Sequence, residues 1–222
     1  MPPRITPVPL SDDVAQDLPT TPTDSLIPLA SSEQTVRLVA TPIGPGLGSL
    51  QGYHTSILLG DQEYSFNSLG IHIAYGRLDS HKKLSRYPQE TQVTYLGTTR
   101  PYTDLLAVLS MHFPRNSYDF LRWNCNTFSS CCLQYLLGIS LSSHYSQMEI
   151  LGTSAERYLG VVQLFSRGSY VPNPAVDKFD IRKVVDCIQE AVKWECRFLL
   201  SLDNHKHQAD CKSSLGAENG IR

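Results

Sequence analysis

One short stretch constrains this chain more than any other, because it places a cysteine where a loop becomes a helix. Residues 124–130 read Asn-Cys-Asn-Thr-Phe-Ser-Ser, and asparagine favours helix caps and turns. Beyond it, side chains suited to a core recur at three- and four-residue steps, as on one face of a helix: Phe128, Cys131, Cys132, Tyr135 and Leu136. The pattern predicts a helix over residues 126–137, with Cys125 at its N-terminal end.

A thiol in that position has chemical consequences. The N-terminal end of a helix carries partial positive charge and free N–H groups, which favour the thiolate. Residues 53–59 alternate like a strand and carry His54. A cysteine at a helix start that faces a histidine on a strand is typical of papain-like thiol hydrolases. Because His54 precedes Cys125 by 125 − 54 = 71 residues, the reverse of the order in papain, such a site would be circularly permuted.

Several blocks of the sequence resemble the PPPDE family of permuted papain-fold thiol peptidases, which includes the desumoylating isopeptidases. They follow one another between about residues 34 and 169: Tyr53-His54-Thr55-Ser56-Ile57, Glu63-Tyr64-Ser65-Phe66, Gly70-Ile71, Leu96-Gly97-Thr98-Thr99 and 124–129. The resemblance implies His54 and Cys125 as the catalytic pair, and ubiquitin- or SUMO-conjugated proteins as substrates. The sequence departs from the family at Asn67-Ser68-Leu69, where members usually have a glycine-rich turn.

The fold class expected from these features is α+β. We expect a circularly permuted papain-like fold whose antiparallel sheet packs beside the helix that carries the cysteine. Alternation predicts strands at 34–40 and near 53–59, 62–66, 70–75 and 92–96, with Gly60-Asp61 as a hairpin turn. The glycine-rich segment 42–52 predicts a loop. A further helix is expected after Pro101, with Thr103 as its N-cap.

Composition divides the chain into four segments. Residues 1–33 are proline-rich and aperiodic, which predicts a disordered tail. Residues 34–170 would form the PPPDE-like peptidase domain. Residues 171–203 would form a linker and an amphipathic helix, which either packs against that domain or mediates a homodimer. Residues 204–222 are polar and are expected to be a disordered tail.

Charge and cysteine usage exclude several classes of function. A net charge of −2 argues against nucleic acid or anionic lipid as a partner, and no apolar run is long enough to span a membrane. The chain shows no signal-peptide pattern and no tidy disulfide spacing, so we expect a protein of the cytoplasm or nucleus. We expect no cofactor and no metal, since the late cysteines and histidines lack ligand spacing: Cys187, Cys196, His205, His207 and Cys211.

The candidate catalytic residues are His54 as base and Cys125 as nucleophile. Each has a plainer interpretation, because cysteine is often a small core residue and histidine often a strand residue. His72 is the rival base, 72 − 54 = 18 residues further on. The backbone N–H of Cys125 is the expected oxyanion donor, with Tyr53 and Asn124 as further oxyanion or substrate-positioning groups. The sequence shows no third catalytic residue, so we expect a dyad.

The expected function is that of a cysteine-dependent peptidase or isopeptidase that removes ubiquitin- or SUMO-like modifiers through a thioacyl-enzyme intermediate. Two alternatives stay open. A thiol acyltransferase or thioesterase on acyl substrates could use the same dyad. The chain could also be a non-catalytic binding module for a ubiquitin-like protein.

Overall fold

A computed structural model describes residues 33–47, 50–76, 78–82, 84, 90–147, 150, 154, 162 and 167–217, with the backbone alone at 45–47, 50 and 203–217. The proline-rich tail expected over residues 1–33 lies outside these residues except for Glu33. No helix among the described residues is long and apolar enough to cross a lipid bilayer.

The centre of the fold is one five-stranded sheet. Its strands are β1 Thr35–Leu47, β2 Leu50–Leu59, β3 Gln62–Asn67, β4 Gly70–Tyr75 and β5 Gln92–Thr98. They lie in the order β4-β3-β2-β1-β5, and every neighbouring pair is antiparallel. Helices pack against this sheet, which confirms the α+β class and the antiparallel sheet predicted from the sequence.

The loop predicted over residues 42–52 is wrong over most of its length, because β1 and β2 continue as a long hairpin. Ile43 pairs with Gly52 across the ladder. A Cβ atom at Gly52 would lie 3.1 Å from the Ile43 side chain, so the glycine permits a close approach of the strands. The register shifts between Ile43 and Leu47, where Gly44 has a φ of 73°. These glycines therefore bend and tighten the hairpin without ending it.

The helices whose bounds the structure gives are α1 Asp79–Lys82, α2 Leu105–Ser110, α3 Cys125–Leu137, the 3₁₀ helix Pro174–Lys178 and α4 Ile181–Ala217. The helix predicted over 126–137 is α3, and Gly138 ends it in the left-handed conformation with φ 69°. The N-cap of α2 is Asp104, whose carboxylate accepts hydrogen bonds from the backbone of Leu106 and Ala107. The predicted cap, Thr103, instead donates to Glu195.

The hydrophobic core lies between one face of the sheet and α3. Phe66 of β3 packs its ring edge-on against Phe113, with centroids 5.1 Å apart, and Phe113 packs in the same way against Phe128 of α3. All three rings are almost completely buried. This packing holds α3 across β2 and β3, which places its first residue at one end of the sheet.

The C-terminal helix α4 packs against the same domain. Val184 and Ile188 are buried in the core, and Glu195 is 3% exposed. The helix continues to Ala217, so residues 204–217, which were expected in a disordered tail, are helical. The physical reason is local, because the segment contains no proline and no glycine before Gly216.

Candidate active site

The start of α3 is fixed by a reciprocal capping box. The side-chain oxygen of Asn124 accepts hydrogen bonds from the backbone N–H groups of Asn126 and Thr127, at 2.9 and 3.0 Å. In return, the Thr127 hydroxyl accepts a hydrogen bond from the backbone N–H of Asn124 at 2.9 Å. These bonds satisfy backbone donors that a helix start leaves free. They make Cys125 the first residue of the helix.

The Cys125 thiol lies against the beginning of β2. Its Sγ is 4.0 Å from the carbonyl oxygen of Tyr53 and 3.8 Å from Oδ1 of Asn126. The ladder between β2 and β3 covers only residues 57–59 paired with 62–64, so the two strands separate toward Tyr53. The Cys125 thiol therefore lies against the backbone of Tyr53, one residue before His54, in the part of β2 that does not pair with β3.

The other described cysteines occupy different surroundings. Cys131 and Cys132 are completely buried inside α3, and burial raises the pKa of Cys131 to about 12 and that of Cys132 well above its usual value. Cys187 and Cys196 are exposed on α4. Among the described thiols, only Cys125 lies at the start of a helix.

His54 is partly buried on β2, with its imidazole turned toward α1. Its Nε2 is 2.8 Å from Ser80 Oγ, and its ring centroid is 4.7 Å from that of His81. Burial lowers the pKa of His54 to about 3, the neighbouring His81 adds to this lowering, and Glu63 opposes it. The imidazole is thus neutral at pH 7 and able to accept a proton.

Behind His54 lies a buried polar cluster that the sequence did not predict. His81 contacts Thr41 Oγ1 through Nδ1 at 2.7 Å and Ser56 Oγ through Nε2 at 2.8 Å. The same Nε2 is 3.7 Å from a carboxylate oxygen of Glu63. Burial lowers the pKa of His81 to about 4, so it too is neutral at pH 7. The cluster joins β1, β2, β3 and α1.

A cavity of about 590 Å³ opens beside His54. Asn67 and Leu69, from the turn that departs from the family pattern, line it, and so does the rival histidine, His72. The Ser65 hydroxyl also lines it, is 1% exposed, and has no hydrogen-bond partner among the described residues. This cavity offers a ligand both an imidazole and a hydroxyl, although Cys125 is not one of its lining residues.

The two remaining predicted site residues have structural partners. The Tyr53 hydroxyl is 2.9 Å from Nε2 of His144, and its ring packs edge-on against Tyr145. The Asn124 side chain, in addition to its capping bonds, donates a hydrogen bond to the carbonyl of Phe120 at 3.0 Å. The structure thus gives Asn124 a capping role, and its contribution to an oxyanion hole stays a prediction.

Among the side chains that the structure describes, no group of three or more histidine, cysteine or carboxylate residues has an arrangement that could hold a metal ion. The site consists of the Cys125 thiol at the start of α3, a neutral imidazole on β2, and the buried polar cluster behind it. Their roles in catalysis are matters for proposal.

Comparison with known families identifies the family of the chain. The model of the PPPDE putative peptidase domain, Peptidase_C97, matches residues 26–161, which is more than half of the chain and includes both His54 and Cys125. The family implies a permuted papain fold and a cysteine peptidase. A comparison with curated proteins finds no match. On the strength of the family match, this chain belongs to the PPPDE peptidase family.

Proposed function

We propose that the protein is a cysteine-dependent peptidase or isopeptidase that removes ubiquitin- or SUMO-like modifiers from proteins of the cytoplasm or nucleus. The observation that carries the proposal is the position of Cys125 Sγ, 4.0 Å from the carbonyl of the residue before His54. The thiol at the start of α3 therefore lies against the backbone of β2, beside the residue that carries the imidazole. Family membership supports the same assignment.

The reaction follows from these two side chains. His54 accepts the proton of the Cys125 thiol, and the thiolate attacks the carbonyl carbon of the amide or isopeptide bond. The backbone N–H of Cys125 and the positive end of α3 stabilise the oxyanion of the tetrahedral intermediate. The C–N bond then breaks, and the leaving amine takes the proton from His54. A thioester with Cys125 remains.

Water completes the cycle. His54 accepts a proton from the water as it attacks the thioester carbonyl, and the C–S bond breaks as the second tetrahedral intermediate collapses. The proton returns to the sulfur, which restores the thiol and the neutral imidazole. An acyl substrate would follow the same steps, so a thioesterase uses the same two residues and differs only in the bond that it cleaves.

Electrophilic probes test the proposal and separate it from its rivals. Ubiquitin and SUMO that carry a C-terminal propargylamide should each be offered to the wild-type protein, with peptide mass mapping of the product. We expect an adduct on Cys125 with at least one modifier, its loss in Cys125→Ala, and its retention in the matched variant Cys187→Ala. Adducts only on Cys187 or Cys196 would contradict the nucleophile assignment.

Two further results would favour the alternatives. Tight binding of a modifier without an adduct, and without cleavage of a modifier–lysine isopeptide substrate, would indicate a binding module. Hydrolysis of a small acyl thioester without cleavage of the isopeptide substrate would indicate a thioesterase. Cleavage of the isopeptide substrate by wild type, and its loss in Cys125→Ala, is the result that the proposal predicts.

A further inference from the structure

The hydrogen bonds behind His54 reach a carboxylate that has no counterion of its own. Nε2 of His54 is 2.8 Å from Ser80 Oγ, and the Ser80 hydroxyl donates a hydrogen bond to Oε1 of Glu63. The backbone N–H of Ser80 is 3.5 Å from the second carboxylate oxygen, Oε2. Glu63 is 1% exposed, and among the described residues its only ion-pair partner is the neutral His81, at 3.7 Å.

Burial of a carboxylate without a cationic partner is costly. Apolar side chains could join α1 to β3 at a lower cost in folding free energy. The stability of the domain alone therefore does not explain why a buried carboxylate is present there. Buried charges that face a catalytic-type histidine are a recognised feature of functional sites. The cost therefore points to a role in the chemistry of His54.

Counting hydrogen atoms fixes which nitrogen of His54 carries the proton. A serine hydroxyl has one hydrogen to donate, and Ser80 donates its hydrogen to Glu63. Because the Ser80 hydroxyl hydrogen goes to Glu63, Ser80 Oγ can only accept from His54. Nε2 must then carry the N–H, and in the neutral ring Nδ1 is left as the unprotonated nitrogen.

We propose that Ser80 and Glu63 are positioning residues that hold His54 in the tautomer whose Nδ1 accepts the proton of Cys125. The proposal rests on the function proposed above and replaces its dyad by a four-residue arrangement. Glu63 acts through Ser80. When Nδ1 accepts the thiol proton, the carboxylate stabilises the imidazolium that forms, as the third member of a catalytic triad does.

The other titratable groups around the imidazole come from three elements. His81 of α1 lies against the ring, and Glu63 comes from β3. Asp79 and Lys82 of α1 and His72 of β4 line the adjacent cavity. Asp79 and Lys82 pair with each other at 2.6 Å and are about half exposed, so water screens their effect on His54. Glu63 is the group placed to hold the Nε2 hydrogen through Ser80.

The direct test is the ¹⁵N chemical shift of the His54 ring nitrogens at pH 7, which distinguishes a protonated from an unprotonated nitrogen. We expect Nε2–H and bare Nδ1 in wild type. In Ser80→Ala and Glu63→Gln the two tautomers should mix, whereas Ser80→Thr, which keeps the hydroxyl, should retain the wild-type spectrum. Ser143→Ala and Glu190→Gln, both exposed, serve as matched controls, and circular dichroism checks that each variant folds.

Kinetics supply the second readout. Cleavage of the modifier–isopeptide substrate by Ser80→Ala should show kcat lowered by about ten-fold or more with KM nearly unchanged, since loss of an orienting group affects proton transfer. Ser80→Thr should recover most of this loss. If Glu63→Gln does not fold, Glu63→Asp takes its place, and the shorter side chain should give the same mixture of tautomers.

Failure of this inference and failure of the proposed function give different results. Protonated Nδ1 in wild type, or an unchanged tautomer in Ser80→Ala, would overturn the positioning roles even if the isopeptide substrate is cleaved. Protonated Nε2 in a wild-type protein that reacts with no probe and cleaves no substrate would overturn the proposed function and, with it, any role of Ser80 and Glu63 in catalysis.

Discussion

The Thr55 hydroxyl of β2 lies 2.9 Å from the side-chain oxygen of Asn126 in α3, and this contact ties the start of the cysteine helix to the strand that carries His54. The same hydroxyl is 2.9 Å from Ser129 Oγ, and Asn126 donates onward to the carbonyl of Tyr145 at 2.8 Å. All of the side chains from Thr55, Asn126 and Ser129 are completely buried or nearly so. The start of α3 is thus joined to β2 by buried polar contacts as well as by apolar packing.

Replacement of Thr55 by valine should weaken this connection. Thr55→Val keeps the shape of the side chain and removes the hydroxyl that donates to the Asn126 oxygen at 2.9 Å, which should cost about 1–3 kcal/mol of unfolding free energy. We expect slower alkylation of Cys125 as well, because the helix start is less firmly held. Urea denaturation and mass-resolved alkylation measure both effects. Thr98→Val, at an exposed position, is the control, and equal stability of the two variants would contradict this account.

Asn124 offers a way to separate capping from catalysis. Asn124→Ala removes the acceptor of two backbone N–H groups and should lower the unfolding free energy by about 1–2 kcal/mol. Asn124→Ser keeps a good capping oxygen and should retain most of both stability and activity. If Asn124→Ser is stable in thermal melts but loses turnover as strongly as Cys125→Ala does, the asparagine has a role beyond the cap.

The stability of the protein should depend on pH through its two buried histidines. Folding lowers the pKa of His54 to about 3 and that of His81 to about 4, from about 6.5 in the unfolded chain. At a pH between the folded and unfolded pKa values, the unfolded state binds more protons than the folded state does. The unfolding free energy therefore decreases as pH falls from about 6.5 toward 4. The slope is at most about 1.4 kcal/mol per pH unit for each histidine.

Variants of single histidines test this dependence. Denaturation curves at pH 7.5, 6, 5 and 4.5 should show a shallower decline in His81→Gln than in wild type, even though the variant starts from lower stability. His72→Gln, at an exposed position, should decline in parallel with wild type. A parallel decline in His81→Gln would show that His81 does not titrate as the structure implies.

Glu195 should be the most sensitive residue of α4. Burial raises its pKa, but hydrogen bonds from Thr103, Tyr135 and Arg100 outweigh that effect and hold the pKa below its usual value. The Tyr135 hydroxyl donates at 2.6 Å and Arg100 forms an ion pair at 3.1 Å. Glu195→Ala leaves these donors buried without their acceptor and should cost about 3–5 kcal/mol.

The control for this variant lies on the same helix. Glu190 is exposed and, within the described part of the chain, forms an ion pair with Lys193, so Glu190→Ala should leave the melting temperature close to that of the wild type. Thermal melts of both variants measure the difference. Similar melting temperatures would mean that α4 contributes little to the stability of the domain.

Local sequence signals predicted those parts of the structure that local physics determines. The limits of α3 followed from asparagines that cap and from a periodic face that ends at Gly138. The β1–β2 hairpin was missed between residues 42 and 52, because glycines that allow two strands to approach closely have the same local pattern as glycines in a loop. The role of Gly52 becomes evident only in the folded hairpin, where it lies against the Ile43 side chain.

The candidate site likewise contains residues that the local sequence predicts and residues that only tertiary contacts bring together. The position of Cys125 is a local property of its helix, and the alternation around His54 placed it on a strand. The partners of His54 could not be predicted, since Ser80 is 26 positions away and lies on a helix of four residues, too short for a periodic signal. Glu63 lies within a strand-like segment of the sequence, and its contact with Ser80 forms only in the folded protein.

The central claim of this account is that His54, and no other histidine, promotes the chemistry of Cys125. The most direct measurement is the rate of Cys125 alkylation by chloroacetamide at pH 7, resolved by peptide mass, in wild type, His54→Ala and His72→Ala. We predict a rate lowered by about ten-fold or more in His54→Ala, because the neutral imidazole no longer accepts the thiol proton, and a rate within about two-fold of wild type in His72→Ala. An unchanged rate in His54→Ala, or a larger loss in His72→Ala, would contradict the pairing of His54 with Cys125.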